Sequence, residues 1–195
     1  MGELLRAIDA YTGHAITRLA MQVLPHVMAR PGELRMAEWS EFDLDNAVWK
    51  ISAERMKMRR PHEVPLSRQV VAYLQQLFAL TGPDGYVFPA FHTSRRPLSE
   101  NTVNQAFRRM GYAAGEVTAH GLRTTASTLL NESGKWSPDA IERSLAHADA
   151  NQVRAAYHRG AYWPERVEMA QWWSDRLDVL RDGAAVIPIR AVGRA

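Results

Sequence analysis

Residues 47–66, AVWKISAERMKMRRPHEVPL, contain two short strand-forming segments separated by a basic connection. Residues 47–52 alternate between apolar and polar side chains and are rich in residues that favour strands. Residues 63–66 read as the return strand. The connection between them carries Arg55, Lys57, Arg59 and Arg60. The stretch therefore predicts a small antiparallel hairpin or a three-stranded sheet.

Apolar residues on both sides of this stretch recur at the three- and four-residue spacing of amphipathic helices. Two helices are predicted before it, joined near Gly13. The segment RPGE at 30–33 predicts a short helix ending near Trp39, because proline suits the first helical turn and an acidic side chain suits the helix dipole. Further helices are predicted at 68–80, 99–110 (capped by Ser99), 120–132, 138–145, 152–158 and 164–180, with a short strand at 86–88 and a basic loop at 92–97. The predicted fold class is mainly α with a small antiparallel β-sheet.

The size and composition of the chain are those of one folded domain. It has 195 residues, 46% of them hydrophobic, which is enough for a core. The absence of cysteine excludes disulfides, zinc ribbons and thiol nucleophiles. No apolar run approaches the ~18–20 residues of a membrane span, and the first residues lack the pattern of a signal peptide. We therefore expect a soluble, cytoplasmic protein that has no membrane partner.

The basic residues are mostly arginine: of 24 lysines and arginines, only Lys50, Lys57 and Lys135 are lysine. Arginine is a planar, permanently charged donor that suits phosphate, although a base-rich genome also enriches it. The glycine-rich phosphate loops, the H-E-x-x-H zinc motif and the G-x-S-x-G elbow are all missing. The acidic residues are scattered, and no pair stands out as a two-metal clamp. These absences disfavour metal-dependent nucleases and nucleotide hydrolases.

Individual candidate residues each have an ordinary interpretation as well as a chemical one. His120 and Arg123 lie three residues apart on one helix face, where imidazole could move a proton and guanidinium could hold an anion. Spacing alone favours a solvated helix start. Tyr157 follows His147 by ten residues, and a phenol needs nearby positive charge to act as a nucleophile. Before any resemblance is considered, a core tyrosine is the simpler interpretation.

Taken in order, five segments of the chain resemble the catalytic domain of tyrosine recombinases, the phage and prophage integrases. They are RPGEL (30–34), KMRRPHEVPLS (57–67), AHGLRTTASTLL (119–130), LAH (145–147) and VRAAY (153–157). The likeness covers about residues 10–180, and it departs from the family where His158 replaces the asparagine expected after Tyr157. It implies a catalytic domain over residues 1–181, a loose tail at 182–195, and no arm- or core-binding domain in this chain.

The resemblance also implies roles for six residues. Tyr157 would attack a DNA phosphate, leaving a 3′-phosphotyrosyl link and a free 5′-hydroxyl. Arg30 and Arg123 would hold the non-bridging oxygens, and His147 would donate a further hydrogen bond. Lys57 would protonate the leaving oxygen, and His120 would assist proton transfer at the tyrosine. Neither a metal ion nor ATP is expected as a cofactor. The predicted DNA contacts are Arg59, Arg60, Arg95, Arg96 and Arg154.

The function implied by the resemblance is site-specific recombination for integration or excision of a prophage or genomic island. The expected partners are double-stranded DNA attachment sites, in the bacterial nucleoid. We expect a monomer in isolation and a homo-tetramer on DNA, and the resemblance leaves room for an accessory DNA-bending or excision factor. The alternatives are a type IB topoisomerase-like activity, an inactive DNA-binding remnant, and a helical protein-interaction domain.

Overall fold

The computed structural model describes residues 1–147 and 162–183. Its helices are α1 (Gly2–Asp9), α2 (Ala15–Val23), α3 (Pro31–Arg35), α4 (Arg68–Thr81), α5 (Thr102–Arg109), α6 (Ala119–Glu132), α7 (Pro138–Ser144) and α8 (Trp163–Asp182). Its strands are β1 (Phe42–Asp43), β2 (Val48–Ile51), β3 (His62–Pro65), β4 (Pro89–Ala90) and β5 (Thr93–Pro97). The prediction of a mainly α fold with a small antiparallel sheet is confirmed.

The basic stretch folds as the sequence predicts, into the antiparallel sheet β1-β2-β3. Trp49 pairs with Val64 on the buried face, while Lys50 pairs with Glu63 on the exposed face. Trp49 is fully buried and stacks on Phe42 at 5.3 Å between ring centroids. Because Ile51 pairs with His62, the basic connection at 52–61 forms the loop that joins β2 to β3.

The C-terminal helix α8 packs against its own chain. Its apolar side chains Met169, Trp173 and Leu177 join a buried cluster with residues from α1, α6 and α7. The Trp173 indole donates a hydrogen bond of 2.8 Å to the Pro25 carbonyl. None of the described helices is long and apolar enough to cross a membrane. The first turns of α8 pack against α7, and there the Glu165 carboxylate accepts hydrogen bonds from the Ser137 N–H and hydroxyl.

The region after α4 differs from its prediction. Residues 86–88 do not form the expected strand; Tyr86 makes only an isolated bridge with Glu38, and Phe88 is buried in the core. The segment predicted as a basic loop forms β5, which pairs with β4 in a second, two-stranded sheet. Residues 94–96 of β5 are all exposed, so the strand has no apolar alternation for sequence patterning to detect.

Three predicted boundaries are also wrong. The helix beginning at Pro31 ends at Arg35, and Trp39 starts a separate short 3₁₀ turn whose backbone N–H donates to the Gly85 carbonyl. Ser99 does not cap α5, because a turn precedes the helix and Ser99 hydrogen-bonds the Thr102 hydroxyl instead. Helix α8 runs to Asp182, two residues beyond its predicted end at 180. The predicted helix at 152–158 and the tail at 184–195 lie outside the described residues.

Candidate active site

Arg30 is held at the N-terminus of α3 by a local acidic partner. It has extended backbone geometry and precedes Pro31, which occupies the first helical turn. The buried Glu33 carboxylate accepts two hydrogen bonds from Arg30, one from the backbone N–H at 2.8 Å and one from the guanidinium at 2.7 Å. This double contact fixes the guanidinium relative to the helix start, while a quarter of the side chain stays exposed.

Arg123 lies in the second turn of α6, and the start of that helix is anchored at two points. Thr118 accepts the Gly121 N–H at 2.9 Å, and the Asn104 side chain accepts the Ala119 N–H at 2.9 Å. The Arg123 side chain is buried, with 6% of its surface exposed. Its guanidinium donates hydrogen bonds to two main-chain carbonyls, those of Met28 and Leu145. It therefore joins the segment before Arg30 to the end of α7.

His147 completes a chain of contacts that begins at Arg123. Its Nε2 lies 3.2 Å from an Arg123 guanidinium nitrogen, and its Nδ1 lies 2.7 Å from a Glu142 carboxylate oxygen. Since guanidinium can only donate, this geometry assigns Nε2 as the acceptor and puts the proton on Nδ1, which donates to Glu142. Ala146 takes a left-handed backbone conformation (φ 50°) just before the histidine, at the end of α7.

Among the described residues, Glu33 is the only carboxylate that forms an ion pair with either arginine of the site. Burial, together with the nearby positive charge of Arg30, lowers the pKa of Arg123 to about 10, while the carboxylates of Glu33 and Glu142 act in the opposite direction. Guanidinium groups carry a permanent positive charge, so the two arginines repel each other across the site, and the Glu33 carboxylate offsets part of that repulsion. An anion bound between them would relieve that repulsion and accept hydrogen bonds from both.

An open cleft of about 550 Å³ lies in front of α3 and the start of α6. Arg30, the exposed Lys57 from the basic connection, and the exposed His120 from α6 all line it. The remaining lining residues are Pro31, Gly32, Glu33, Arg35, Met36, Arg55, Glu100, Asn104 and Ala119. The structure therefore brings three predicted site residues to one cleft. The hydrogen bond from Arg123 to the Met28 carbonyl places the linked pair Arg123–His147 next to the segment that leads into Arg30.

The predicted DNA contacts fall on two exposed segments. Arg59 and Arg60 lie in the basic connection, and Arg60 lines a small cavity with His62 and His147. Arg95 and Arg96 are exposed on β5. The two remaining predictions, Arg154 and the proposed nucleophile Tyr157, lie outside the described residues.

Several residues that shape the site were not predicted from the sequence. Arg55 binds the Glu41 carboxylate and donates to the Glu33 carbonyl at 2.7 Å, so it ties the base of the basic connection to α3. Asn104 and Glu142 orient α6 and His147. These contacts join positions with no shared sequence motif, so no pattern could have found them. Glu33 is the exception, because an acidic residue after a helix-starting proline is a recognisable signal.

Within residues 1–147 and 162–183, no three histidine or acidic side chains come close enough together to hold a metal ion.

Comparison with known proteins identifies the family. The sequence model of the phage integrase family matches residues 1–162. The chain belongs to the phage integrase family. The integrase of Enterobacteria phage P4 is 45% identical over 194 residues, an alignment that covers 92% of this chain and 44% of the phage protein. The chain thus spans less than half the length of that relative.

Solved structures of phage integrase and transposon integrase chains share the fold. An integrase from mycobacterium phage Brujita superposes with a TM-score of 0.66 at 20% identity, covering 89% of this chain and 59% of that one. The Tn1549 transposon integrase, solved in complex with circular intermediate DNA, gives a TM-score of 0.53 at 16% identity, covering 84% and 61%. The predicted fold of a tyrosine recombinase catalytic domain is confirmed.

Proposed function

We propose that this chain is the DNA-cleaving and rejoining part of a site-specific integrase, with Tyr157 as its nucleophile. The observation that carries the proposal is the pairing of Arg123 with His147 beside Arg30, at a cleft that also receives Lys57 and His120. This is a concentration of hydrogen-bond donors and cations with room for a phosphodiester. Phage integrase relatives favour recombination over the topoisomerase-like alternative.

The cations act on the charge that develops during phosphoryl transfer. A pentacoordinate phosphorus centre carries more negative charge on its non-bridging oxygens than the starting diester. Fixed guanidinium donors stabilise that charge without having to reorganise at the moment of reaction. Arg30 is fixed by Glu33, and Arg123 is fixed by the Met28 and Leu145 carbonyls, so both meet this requirement.

Each step of the proposed reaction balances. The Tyr157 oxygen forms a bond to phosphorus while the bond from phosphorus to the 5′-oxygen breaks. The phenolic proton passes to His120, and the leaving 5′-oxygen takes a proton from Lys57. Rejoining runs in reverse, when the 5′-hydroxyl of another strand displaces the tyrosine. The phosphotyrosyl link conserves the energy of the diester, so no nucleotide is consumed.

His147 needs a second proton to act as a donor toward the phosphate. In the structure its Nε2 accepts from Arg123, while Nδ1 faces Glu142. Protonation at Nε2 would turn that atom into a donor, and the adjacent Glu142 carboxylate would balance the added charge. Glu142 is thereby proposed to keep His147 in the orientation in which its donor atom faces the scissile phosphate.

The proposed partner is double-stranded DNA at an attachment site. The Tn1549 integrase structure, which contains DNA, supports this proposal. The exposed arginines 59, 60, 95 and 96 are available for phosphate contacts, and we propose Arg154 as a further contact. We also propose that the active assembly is a tetramer bound to two DNA duplexes. Mass photometry with and without DNA would measure the number of chains in the complex. The same measurement would detect an accessory DNA-bending factor as added mass.

Covalent trapping tests the proposed function. A nicked duplex that loses a short strand after cleavage should trap the wild-type chain as a covalent adduct in the presence of EDTA. Tyr157→Phe should form none, whereas Tyr162→Phe should trap normally, because the Tyr162 hydroxyl donates to Asp139. An adduct with Tyr157→Phe would refute the assignment of the nucleophile, and no adduct with the wild-type chain would refute the proposed activity.

A further inference from the structure

The turn at residues 144–147, which we call the histidine turn, is held on both of its sides. On one side it presents the Leu145 carbonyl and the His147 ring to Arg123. On the other side it meets Arg166 of α8, a residue that neither the sequence prediction nor the proposed reaction uses. The position of this turn decides where His147 stands relative to Arg123.

Arg166 bridges three elements of the fold. Its Nε donates to the Ser144 hydroxyl at 3.0 Å, at the end of α7. Its terminal NH2 donates to the Glu63 carbonyl of β3 at 2.5 Å. The guanidinium also lies 5.3 Å from the centre of the Trp163 ring at the start of α8. One side chain thus joins the histidine turn to the strand that follows the basic connection carrying Lys57.

Burying the Arg166 guanidinium costs desolvation free energy, so a gain in folding stability does not explain why a charged side chain occupies this position. Only 6% of the residue is exposed, and its guanidinium donates to a serine hydroxyl and a main-chain carbonyl rather than to a carboxylate. The Glu63 carboxylate offsets part of its charge. Burial lowers the pKa of Arg166 to about 10, with a further contribution from the positive charge of Arg143. A buried cation is often no better for stability than an apolar side chain of similar size. Its forked hydrogen bonds do, however, fix the relative positions of the groups that accept them.

We infer that Arg166 is a positioning residue that sets the histidine turn and β3 against each other, so that His147 and Lys57 approach the same phosphate. The inference rests on the proposed function, because it assigns Arg166 a task in that reaction. Through Ser144 the residue acts on the turn that carries His147. Through the Glu63 carbonyl, six residues after Lys57, it acts on β3. Docking of α8 therefore contributes to the geometry of the catalytic cleft as well as to the core.

The test compares Arg166→Met with Arg176→Met, which makes the same chemical change at an exposed position of the same helix. In the protein alone, hydrogen exchange of the amides at 145–147 should accelerate about tenfold or more in Arg166→Met only. Single-turnover cleavage at saturating DNA should slow by about 10²-fold, a cost typical of small displacements of catalytic groups. The Kd for DNA should stay within about twofold of wild type, since Arg166 faces away from solvent.

Two further variants keep the test decisive if Arg166→Met fails to fold. Arg166→Lys retains the charge but loses the fork, and Ser144→Ala removes one acceptor; both should show smaller changes in the same direction. The inference is overturned if the amides of the turn exchange as in Arg176→Met, or if they loosen while cleavage stays at the wild-type rate. If wild-type protein forms no adduct, the proposed function fails, and the exchange measurement still decides whether Arg166 holds the turn.

Discussion

Arg123 and Arg166 lie on opposite sides of the histidine turn and share most of their physical properties. Each is a guanidinium with 6% of its surface exposed, and burial lowers the pKa of each to about 10. Each donates to a main-chain carbonyl, of Leu145 in one case and Glu63 in the other. Residue type and burial therefore do not distinguish a reactive arginine from a supporting one.

The surroundings of the two arginines do distinguish them. Arg123 contacts His147 and is influenced by Arg30, which lines an open cleft that a phosphate can enter. Arg166 lies over the Trp163 ring and donates to the Ser144 hydroxyl, and it does not line that cleft. Positive charge next to open space indicates anion binding, whereas a buried guanidinium that bridges two other elements of the fold indicates positioning.

The largest difference between the two sides should appear when each arginine becomes lysine. Arg123→Lys keeps the charge but loses the fork that spans Met28, Leu145 and His147, so cleavage should fall about 10³-fold, as when a preorganised donor is lost. Arg166→Lys should cost much less. Single-turnover cleavage measures both, with thermal melting as a control for folding, and equal losses would remove the functional distinction between the two sides.

Acid should lower the free energy of unfolding through His26, which contacts helix α8, the helix that carries Arg166. This ring lies 2.9 Å from the Ser174 hydroxyl of α8, which in turn donates to Ser67, and burial lowers the pKa of His26 to about 4. In the unfolded chain His26 takes up its proton near pH 6.5. Its contribution to the free energy of unfolding is therefore fully present above that pH and is lost as the pH drops toward 4.

The expected loss from His26 is about 3 kcal/mol between pH 7 and pH 4. Urea unfolding at pH 7, 5.5 and 4 measures it. His26→Gln should be less stable than wild type at pH 7 but should lose less on acidification. A variant whose stability falls with pH as steeply as that of wild type would show that His26 is not the titrating group.

At the open cleft, Lys57→Ala should slow cleavage by about 10²-fold while leaving the affinity for DNA unchanged, because a general acid acts only on the leaving group. A 5′-bridging thiolate leaves without needing a proton, so a phosphorothiolate substrate should restore cleavage by this variant. Unchanged cleavage of the normal substrate would exclude Lys57 as the acid. Lys50→Ala, on the exposed face of β2, serves as the control.

The smallest expected effect on the cleavage rate concerns Glu142, which lies in α7, the helix that leads into the histidine turn. Glu142→Gln keeps the shape but loses the charge that faces His147, so cleavage should fall about tenfold, the cost of one modest electrostatic contact at the site. Glu132→Gln, at the exposed end of α6, is the matched control. Equal rates for the two variants would show that His147 works without its carboxylate partner.

Local chemistry explains which parts of this molecule could be predicted from sequence. Residues 47–66 were predicted well because their alternation and register are local properties, and the start of α3 was predicted because Pro31 and Glu33 mark it. The exposed strand β5 carries no such pattern. Arg55 and Arg166 act on residues 22 and 103 positions away, so only the fold reveals them. The roles of Arg154 and Tyr157, outside the described residues, stay predictions.

One substrate substitution tests directly whether the guanidinium charges act on the charge of the phosphate. Replacing one non-bridging oxygen of the scissile phosphate with a methyl group makes that linkage neutral. Arg30→Ala should cleave normal DNA about 10²-fold more slowly than wild type, yet cleave the methylphosphonate at nearly the rate that wild type does. If the variant shows the same relative loss on both substrates, Arg30 does not stabilise phosphate charge and the proposed chemistry of the cleft is wrong.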